Sequence, residues 1–578
     1  MLIKLLGMVF ISALWLVSAS ACMGISMLAL RALQGTSGRQ MPLLDHFWIG
    51  LPLVLCGLQV TSLLFPINGY AAIAVLLIGF TGLGSNTNAL RRQIRLTTKS
   101  TYLLIAAIAL FALWLANQAM AGIQTYDAGL YHTSAIRWAS EFPVTRGLGN
   151  LHGRLAFNSS YFLYHALFAD LPIIEGSFNV GSGLLILMLT LHLLACILKV
   201  LRKDHALAPS DLYLVAAFPV VADTWFNDAA STSPDLPARV LVILIGFYMW
   251  RIFGEDQWSV RRRESFFILA LLSALAMTVK LSTAAFAGSA ILIAAFKGFR
   301  SNSEQATFQL WEKSFLVPVA GIGACLLPWI LRGYLLSGYP FFPAPFGRAD
   351  FPWSVADVAA RSEQTSIMTW AREPGGTLET LQSSDWIAPW WDRTRSHFQF
   401  PYQLGIPFVL AVLGLPLIVV RVLASRARRR LARNLTPLIP PVISLAAWWV
   451  LAPDPRYLAC VPWYLATSML LVGLTNLRMA TARRLAMYAL LLSLALALPI
   501  LIRSDKFIPP GPSHGFYPLP QPETATFLTL SGLALQVPED GDQCWDSGVL
   551  CTPSPNPKLT LLSDGRLKSG FAVFQSND

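Results

Sequence analysis

The chain has 578 residues, of which 55% are hydrophobic and only 13% are charged. Soluble globular proteins carry about 25% charged residues, so the composition excludes a soluble enzyme and indicates an integral membrane protein. The formal net charge of +12 does not point to a nucleic-acid partner. The excess of Lys and Arg lies in short loops beside apolar segments, where such residues set membrane topology.

Apolar segments recur along the chain, about fourteen in all, at the length of a membrane-spanning helix. The short alternating segments of a membrane β-barrel are absent from the sequence. We therefore predict an all-α polytopic membrane protein with about 11–14 transmembrane helices. Residues 1–100 are expected to form accessory helices, residues 101–503 the transmembrane core, and residues 504–578 a small extracytoplasmic tail.

Two kinds of loop alternate between the apolar segments. Short basic loops, such as those that hold Arg92 and Arg262, are assigned to the cytoplasm. Longer loops at 121–177, 222–236 and 334–402 are richer in Trp, Pro and Tyr and closer to charge balance, so we predict them on the opposite face. The first of these loops is expected to contain amphipathic helices.

The seven cysteines divide into two groups. Five lie in apolar runs and are most simply buried small hydrophobic residues. Cys544 and Cys551 lie in the polar tail, and they would form a disulfide if the tail faces an oxidising compartment. A segment this short builds little core of its own, so a cross-link would stabilise it. We read the tail as a capping element.

Asp127 lies near the start of residues 125–162, a stretch that is far more polar than its surroundings and follows the apolar segment 101–120. Its carboxylate suits a general base, but Asp is also a favoured N-cap for a helix that begins at residue 128. His132 and Arg137 follow on the same predicted helix. His132 is either catalytic or a hydrogen-bonded structural residue, and Arg137 either binds substrate or extends its charge from an interfacial helix towards water.

Two further candidates come from the first and second long loops. Arg154 follows a glycine and could bind a phosphate with two hydrogen bonds, or it belongs to an ordinary turn. Asp235 stands between Pro234 and Pro237 at the start of an apolar segment. It could orient sugar hydroxyls, complete a site for Mg²⁺ or Mn²⁺, or cap the next helix; no residue is assigned as a metal ligand.

Three cations lie at the predicted outer ends of spans: Lys280, Arg332 and Arg456. They could neutralise a lipid phosphate, which gains negative charge as a leaving group, or they could simply reach out of the membrane. Asp385 lies in a tryptophan-rich part of loop 334–402. It is a candidate for contact with an acceptor, although such tryptophans also form interfacial belts.

These features resemble the GT-C superfamily of membrane glycosyltransferases over roughly residues 101–503. The segments that carry the resemblance are YDAGLYH at 126–132, GNLHGRLAFNSSYF at 149–162, SPDLP at 233–237, PWILRGYLLSGYPFFP at 328–343 and PDPRY at 453–457. The resemblance implies a polyprenyl-phosphate sugar as donor and Asp127 as the catalytic carboxylate. It also implies an inverting hexosyl- or pentosyltransferase whose acceptor is a lipid-linked glycan, a lipid or a protein.

The predicted position of the long loops opposite the cytoplasm agrees with a lipid-linked donor, because nucleotide sugars and ATP are absent there. The sequence also has no GxxxxGK[ST] loop that would bind a nucleotide phosphate. We expect a bacterial inner-membrane protein of cell-envelope biogenesis with its site towards the periplasm. The alternatives are a transporter or flippase for lipid-linked intermediates and an O-antigen polymerase or ligase. A transporter would be expected to show internal repeats, and none is evident. Convergence of Asp127 and Arg456 on one outer cavity that opens laterally to lipid would favour the transferase.

Overall fold

The structure is a computed structural model. It describes residues 2–34, 41–87, 90, 99–123, 125–169, 178–202, 207–254, 259–302, 308–397, 399–424, 434–474, 479–501, 519–563 and 565–574. Within these ranges the molecule is mostly helical, and its few short strands lie in the tail.

The helices are α1 (Leu2–Gln34), α2 (Leu43–Ser62), α3 (Gly69–Gly84), α4 (Lys99–Ala119), α5 (Thr133–Glu141), α6 (Ser160–Ala169), α7 (Gly181–Leu201), α8 (Pro209–Ala216), α9 (Phe218–Asn227), α10 (Asp235–Phe253), α11 (Val260–Val279), α12 (Ala284–Asn302), α13 (Phe308–Ser337), α14 (Asp357–Arg372), α15 (Ile387–Ser396), α16 (Ile406–Ala424), α17 (Ile439–Leu451), α18 (Val461–Leu474) and α19 (Met479–Leu501). Polar side chains start some of them. Asn68 accepts a hydrogen bond from the Tyr70 amide before α3 (3.1 Å), and Ser259 accepts one from the Arg262 amide before α11 (3.2 Å). Such caps satisfy amides that the first turn of a helix leaves unpaired.

Eight helical segments of the described chain are long and apolar enough to cross a membrane. They lie in α1, α2, α4, α7, α10, α12, α13 and α16, and shorter apolar helices lie in α3, α17, α18 and α19. The prediction of a mostly helical, multi-pass membrane protein is therefore confirmed. The number of 11–14 spans and the likeness to GT-C enzymes stay predictions.

Helix α10 forms the centre of the bundle. All its residues are buried except Asp235 at its start and Arg251 near its end, and α8, α11 and α12 are among the helices that pack on it. Helix α2 packs against α1 but also against α11 and α13. The helices of residues 1–100, predicted as an accessory group, are therefore joined directly to the core.

The bundle has two distinguishable ends. The end of α2 meets the first long loop, where the Val144 amide donates to the Ser62 carbonyl (2.7 Å). At the opposite end, Arg251 near the end of α10 pairs with Asp45 at the start of α2 (3.1 Å). We call the end of the bundle that carries the first long loop the site end.

The first long loop contains one amphipathic helix and one buried helix among its described residues. Helix α5 buries Ile136 and Trp138 and leaves Glu141 exposed, as expected for an interfacial helix. Helix α6 is buried on nearly every side. The expectation of amphipathic helices in this loop therefore describes α5 and not α6.

The tail adds two antiparallel strand pairs at the site end: β1 (Thr524–Leu528) with β2 (Ala534–Pro538), and β3 (Leu559–Leu561) with β4 (Phe571–Val573). Cys544 and Cys551 are joined by a disulfide bond. The tail rests on the first long loop: Thr552 Oγ1 donates to the Leu151 carbonyl (2.9 Å), and the Phe571 amide donates to the Arg146 carbonyl (2.9 Å).

Candidate active site

The Asp127 carboxylate lies between two arginines from distant parts of the chain. Its Oδ1 is 3.5 Å from Arg154 Nη1, and its Oδ2 is 3.3 Å from Arg456 Nη1. The carboxylate makes no capping hydrogen bond to the helix that follows, so the N-cap interpretation is wrong. Asp127 instead points its charge at the two guanidinium groups.

The backbone after Asp127 takes an unusual form. Residues Ala128–His132 make a π-helical turn, and α5 follows at Thr133, whose Oγ1 donates to the Ala128 carbonyl (3.0 Å). A π-turn inserts an extra residue per turn and shifts the side chains that follow it, and such turns are frequent at functional sites. Here Tyr131 comes to lie with its ring 6.0 Å from the Arg154 guanidinium carbon.

Arg456 is held by the tight turn that follows Pro453. Asp454 accepts a hydrogen bond from the Arg456 amide (3.0 Å), and its other oxygen lies 3.7 Å from Arg456 Nε. The guanidinium donates to the Tyr457 hydroxyl (3.3 Å). Burial alone would lower the pKa of Arg456, but Tyr457, Asp454 and Asp127 raise it above its ordinary value. The guanidinium therefore stays a fixed positive charge beside Asp127.

Lys280 and Asp235 form a second ion pair beside the first. Lys280 follows the last residue of α11, Asp235 is the first residue of α10, and Lys280 Nζ contacts Asp235 Oδ1. The Tyr457 ring lies between the two pairs: Lys280 Nζ is 4.8 Å and the Arg456 guanidinium carbon 5.1 Å from its centroid. Cations attract aromatic faces, so Tyr457 links both cations into one group.

Glu363 joins this group although the sequence did not single it out. It lies on α14, its Oε1 is 3.5 Å from Arg154 Nε, and that oxygen is buried without a hydrogen-bond partner. Burial raises the pKa of Glu363, and Arg154 opposes this rise. Gly153 gives it room, since a Cβ there would lie 3.2 Å from Glu363 Oε2. The only sequence signal was a polar helix in a long loop, which does not reveal a partner.

His132 lies behind the site. Its ring is 1% exposed, packs 4.5 Å from the Tyr131 ring, and places Nδ1 3.3 Å from Thr232 Oγ1. Burial lowers the pKa of His132 to about 4, although Asp127 and Asp235 favour the charged form. Its polar contact is with Thr232 and not with Asp127. This contact favours the structural alternative, and a catalytic role of His132 stays a prediction.

Three of the predicted site residues lie elsewhere. Arg137 pairs with Asp546 of the tail and with Glu141 (3.3 Å). Arg332 is buried and donates to Asn158 Oδ1 (3.1 Å) and to a serine hydroxyl. Asp385 is exposed. None of these contacts joins the Asp127 group, and the roles of Arg137, Arg332 and Asp385 in substrate binding stay predictions. The Asp127 group consists of Asp127, Arg154, Asp235, Lys280, Glu363, Asp454, Arg456 and Tyr457.

The group suits an anion and a hydroxyl better than a metal ion. Each of its carboxylates already faces a cation: Asp127 faces two arginines, Glu363 faces Arg154, Asp454 faces Arg456, and Asp235 faces Lys280. Among the described residues, no three His, Cys, Asp or Glu side chains gather in a way that could hold a metal ion. The donor set does not fit Mg²⁺ or Mn²⁺.

A family model described as a domain of unknown function, DUF8201, matches residues 8–462. The matched range contains all the carboxylates and cations of the Asp127 group and stops before the tail. No curated protein and no solved structure matches the chain.

Proposed function

The chain belongs to the DUF8201 family, whose description gives no activity, and we propose from the site that it is a membrane glycosyltransferase of the GT-C type. In this proposal the enzyme moves a hexose or pentose from a polyprenyl-phosphate donor to a hydroxyl of a lipid-linked glycan, a lipid or a protein. The reaction contributes to bacterial envelope biogenesis and takes place on the periplasmic side of the inner membrane.

One observation carries the proposal. Asp127 and Arg456, far apart in sequence, meet at 3.3 Å, and Lys280 lies against the same tyrosine ring as Arg456. A carboxylate that can take a proton thus stands next to two cations that can take the charge of a phosphate. Glycosyl transfer from a lipid phosphate needs both functions within one site.

The chemistry can be assigned to named atoms. The acceptor oxygen attacks the anomeric carbon from the face opposite the phosphate, and its proton passes to Asp127. The bond between the anomeric carbon and the phosphate oxygen breaks, and the electron pair leaves with the polyprenyl phosphate. Arg456 and Lys280 neutralise the leaving phosphate, and Arg456 has a planar guanidinium suited to its oxygens.

The ion pairs of Asp127 fit this sequence of events. Their distances of 3.3 and 3.5 Å are longer than the 2.7–2.9 Å typical of charge-assisted hydrogen bonds. An incoming phosphate competes with Asp127 for Arg456, which would leave the carboxylate freer to accept a proton. Arg154 remains between Asp127 and Glu363 and keeps the carboxylate in place.

The long loops at the site end and the short basic loops of the sequence support the assignment of the site to the face opposite the cytoplasm. On that face a soluble nucleotide sugar is not available. A donor delivered on a lipid phosphate reaches the site from within the membrane, which agrees with the cations Lys280 after the end of α11 and Arg456 in the turn after α17.

The test is transfer by the purified protein in proteoliposomes that contain radiolabelled polyprenyl-phosphate hexose or pentose and a lipid extract as acceptor. We expect label to move to the acceptor and Asp127→Asn to slow this roughly 100- to 10,000-fold, the usual contribution of a general base. The substitution keeps the shape of the side chain, so the amount of folded protein should not change.

The matched control is Asp350→Asn, because Asp350 is a carboxylate in loop 334–402 whose side chain is 91% exposed and has no predicted role in the site. It should transfer label at the wild-type rate. Full activity of the Asp127→Asn protein would remove Asp127 from the mechanism. Movement of the intact labelled donor across the bilayer without transfer would instead favour a transporter.

A further inference from the structure

We propose that residues 542–551 of the tail, which we call the clasp, hold residues 126–132, which we call the Asp127 turn, where Asp127 meets Arg154 and Arg456. Trp545 is the main positioning residue of the clasp. The role in catalysis rests on the function proposed above, but the mechanical role does not. The clasp lies outside the range that the family model matches, and the Cys544–Cys551 disulfide closes it into a short ring.

The clasp binds the chain immediately before Asp127. Gln543 Nε2 donates to the Tyr126 carbonyl (2.8 Å), and the Tyr126 hydroxyl donates to the Asp542 carboxylate. The hydrogen bond to Asp542 also raises the pKa of Tyr126, so the hydroxyl keeps its proton. Two contacts from adjacent clasp residues thus fix the residue that precedes the carboxylate.

The clasp also binds the chain immediately after Asp127. The Trp545 amide donates to the Gly129 carbonyl (2.8 Å), and the indole covers Gly129 so closely that a Cβ there would lie 2.5 Å from Trp545 Cε2. Trp545 adopts a positive φ of 45°, a conformation that a bulky residue rarely takes. Strained backbone of this kind persists where surrounding contacts hold it, and here those contacts are with the Asp127 turn.

Further contacts extend the clasp along α5. Asp546 pairs with Arg137, and the Trp138 indole donates to the Val549 carbonyl (3.0 Å). Cys551 forms a bridge to β2 at Gln536. The ring is therefore anchored to the rest of the tail at one side and to the first long loop at the other.

This arrangement matters because the Asp127 carboxylate depends on backbone position. It reaches both arginines only at 3.3 and 3.5 Å, and displacement of a reacting group by about 1 Å can cost on the order of 100-fold in rate. Contacts on both sides of Asp127 keep its carboxylate at this distance from the two arginines. Loss of the clasp should therefore lower the turnover number and leave donor binding at Arg456 and Lys280 largely intact.

The test uses the full-length protein and a pair of complementary substitutions. Gly129→Ala should collide with the indole, and Trp545→Ala should remove the collision. Each single variant should lower turnover, by up to about 100-fold, with little change in KM. In the double variant the added methyl group no longer meets a ring, so it should be no slower than Trp545→Ala alone. Trp545→Phe, which keeps an aromatic ring, should lose less activity.

Hydrogen exchange tests the clasp independently of the proposed reaction. Hydrogen exchange of residues 126–133 should speed up in Trp545→Ala and in the Cys544→Ser/Cys551→Ser pair. It should not change in Gly57→Ala, whose added methyl group meets open space. Unchanged exchange in both clasp variants, or additive losses in the Gly129/Trp545 pair, would overturn the proposal. If exchange is faster in the clasp variants but the wild-type protein transfers no sugar, the role of the clasp is supported and the proposed transferase activity is contradicted.

Discussion

Single residues at the site differ in how well another residue could replace them. Arg456 contacts a carboxylate on each side and the hydroxyl of Tyr457, and it also lies over the Tyr457 ring. Lys carries the same charge but cannot make the planar, forked set of contacts. We expect Arg456→Lys to lower kcat/KM by about tenfold or more, since donors aimed at a developing charge are costly to lose.

The control for this variant is Arg348→Lys, because Arg348 pairs with the exposed carboxylate of Asp350 (3.3 Å) and not with a carboxylate of the Asp127 group. It should have no effect on transfer of label between polyprenyl phosphate and acceptor. Equal activity of the Arg456→Lys protein and the wild type would mean that charge alone is required at this position.

His132 gives a prediction about stability and pH. Its pKa is about 4 in the folded protein because burial disfavours the charged form, against 6.5 as the ordinary value. The unfolded chain therefore takes up the proton first as pH falls. Stability from this residue is present above pH 6.5 and is lost as pH falls towards 4, by roughly 3 kcal/mol for the full shift.

Thermal unfolding in detergent between pH 7.5 and 4 measures this effect. His132→Gln should be less stable than the wild type at pH 7.5, because a buried ring is lost, but its melting temperature should fall less steeply with acid. Other buried histidines contribute their own slopes, so the comparison is between the two slopes. Parallel curves for the two proteins would contradict the assigned burial of His132.

At the scale of elements, helix α10 decides which acid of the second long loop reaches the site. The loop has three acidic residues, and Asp223 and Asp228 pair with Arg239, which lies one turn into α10 (3.3 and 2.9 Å). Asp235 is left to face Lys280. The sequence favoured Asp235 because prolines flank it. The structure shows why the other two acids do not reach the site, since both pair with Arg239.

Removal of Arg239 should therefore destabilise the whole bundle. Arg239→Gln leaves two poorly exposed carboxylates without their shared cation, and loss of one partner from a buried ionic group costs about 3–5 kcal/mol. We expect a clear fall in the detergent melting temperature, with Lys199→Gln, at a partly exposed pair with Asp211, as the milder control. A melting temperature equal to that of the wild type would show that the two carboxylates have sufficient other partners.

Glu363 shows where sequence reasoning stops at this scale. The pairing of Asp127 with Arg456 could be anticipated, because both stood at span ends on one predicted face and an outer arginine is unexpected. Glu363 lies on a helix inside a long loop, and its contact with Arg154 depends on how that loop folds back. Tertiary contacts determine the path of the loop and the position of the tail, and the hydrophobic periodicity of the sequence does not reveal such contacts.

At the scale of the whole molecule, the proposed lipid-phosphate donor depends on which side of the membrane the site end occupies. Asp385 is exposed at the site end, and Thr87 is exposed just after α3, at the opposite end. A membrane-impermeant maleimide added to intact spheroplasts should label Asp385→Cys and should reach Thr87→Cys only after the membrane is broken. The native thiols interfere little, because four of the five free cysteines are buried and the tail pair is bonded.

The reverse pattern would place the site in the cytoplasm. A soluble nucleotide sugar would then be available to it, and the reason for a lipid-phosphate donor would disappear even if Asp127 proved essential.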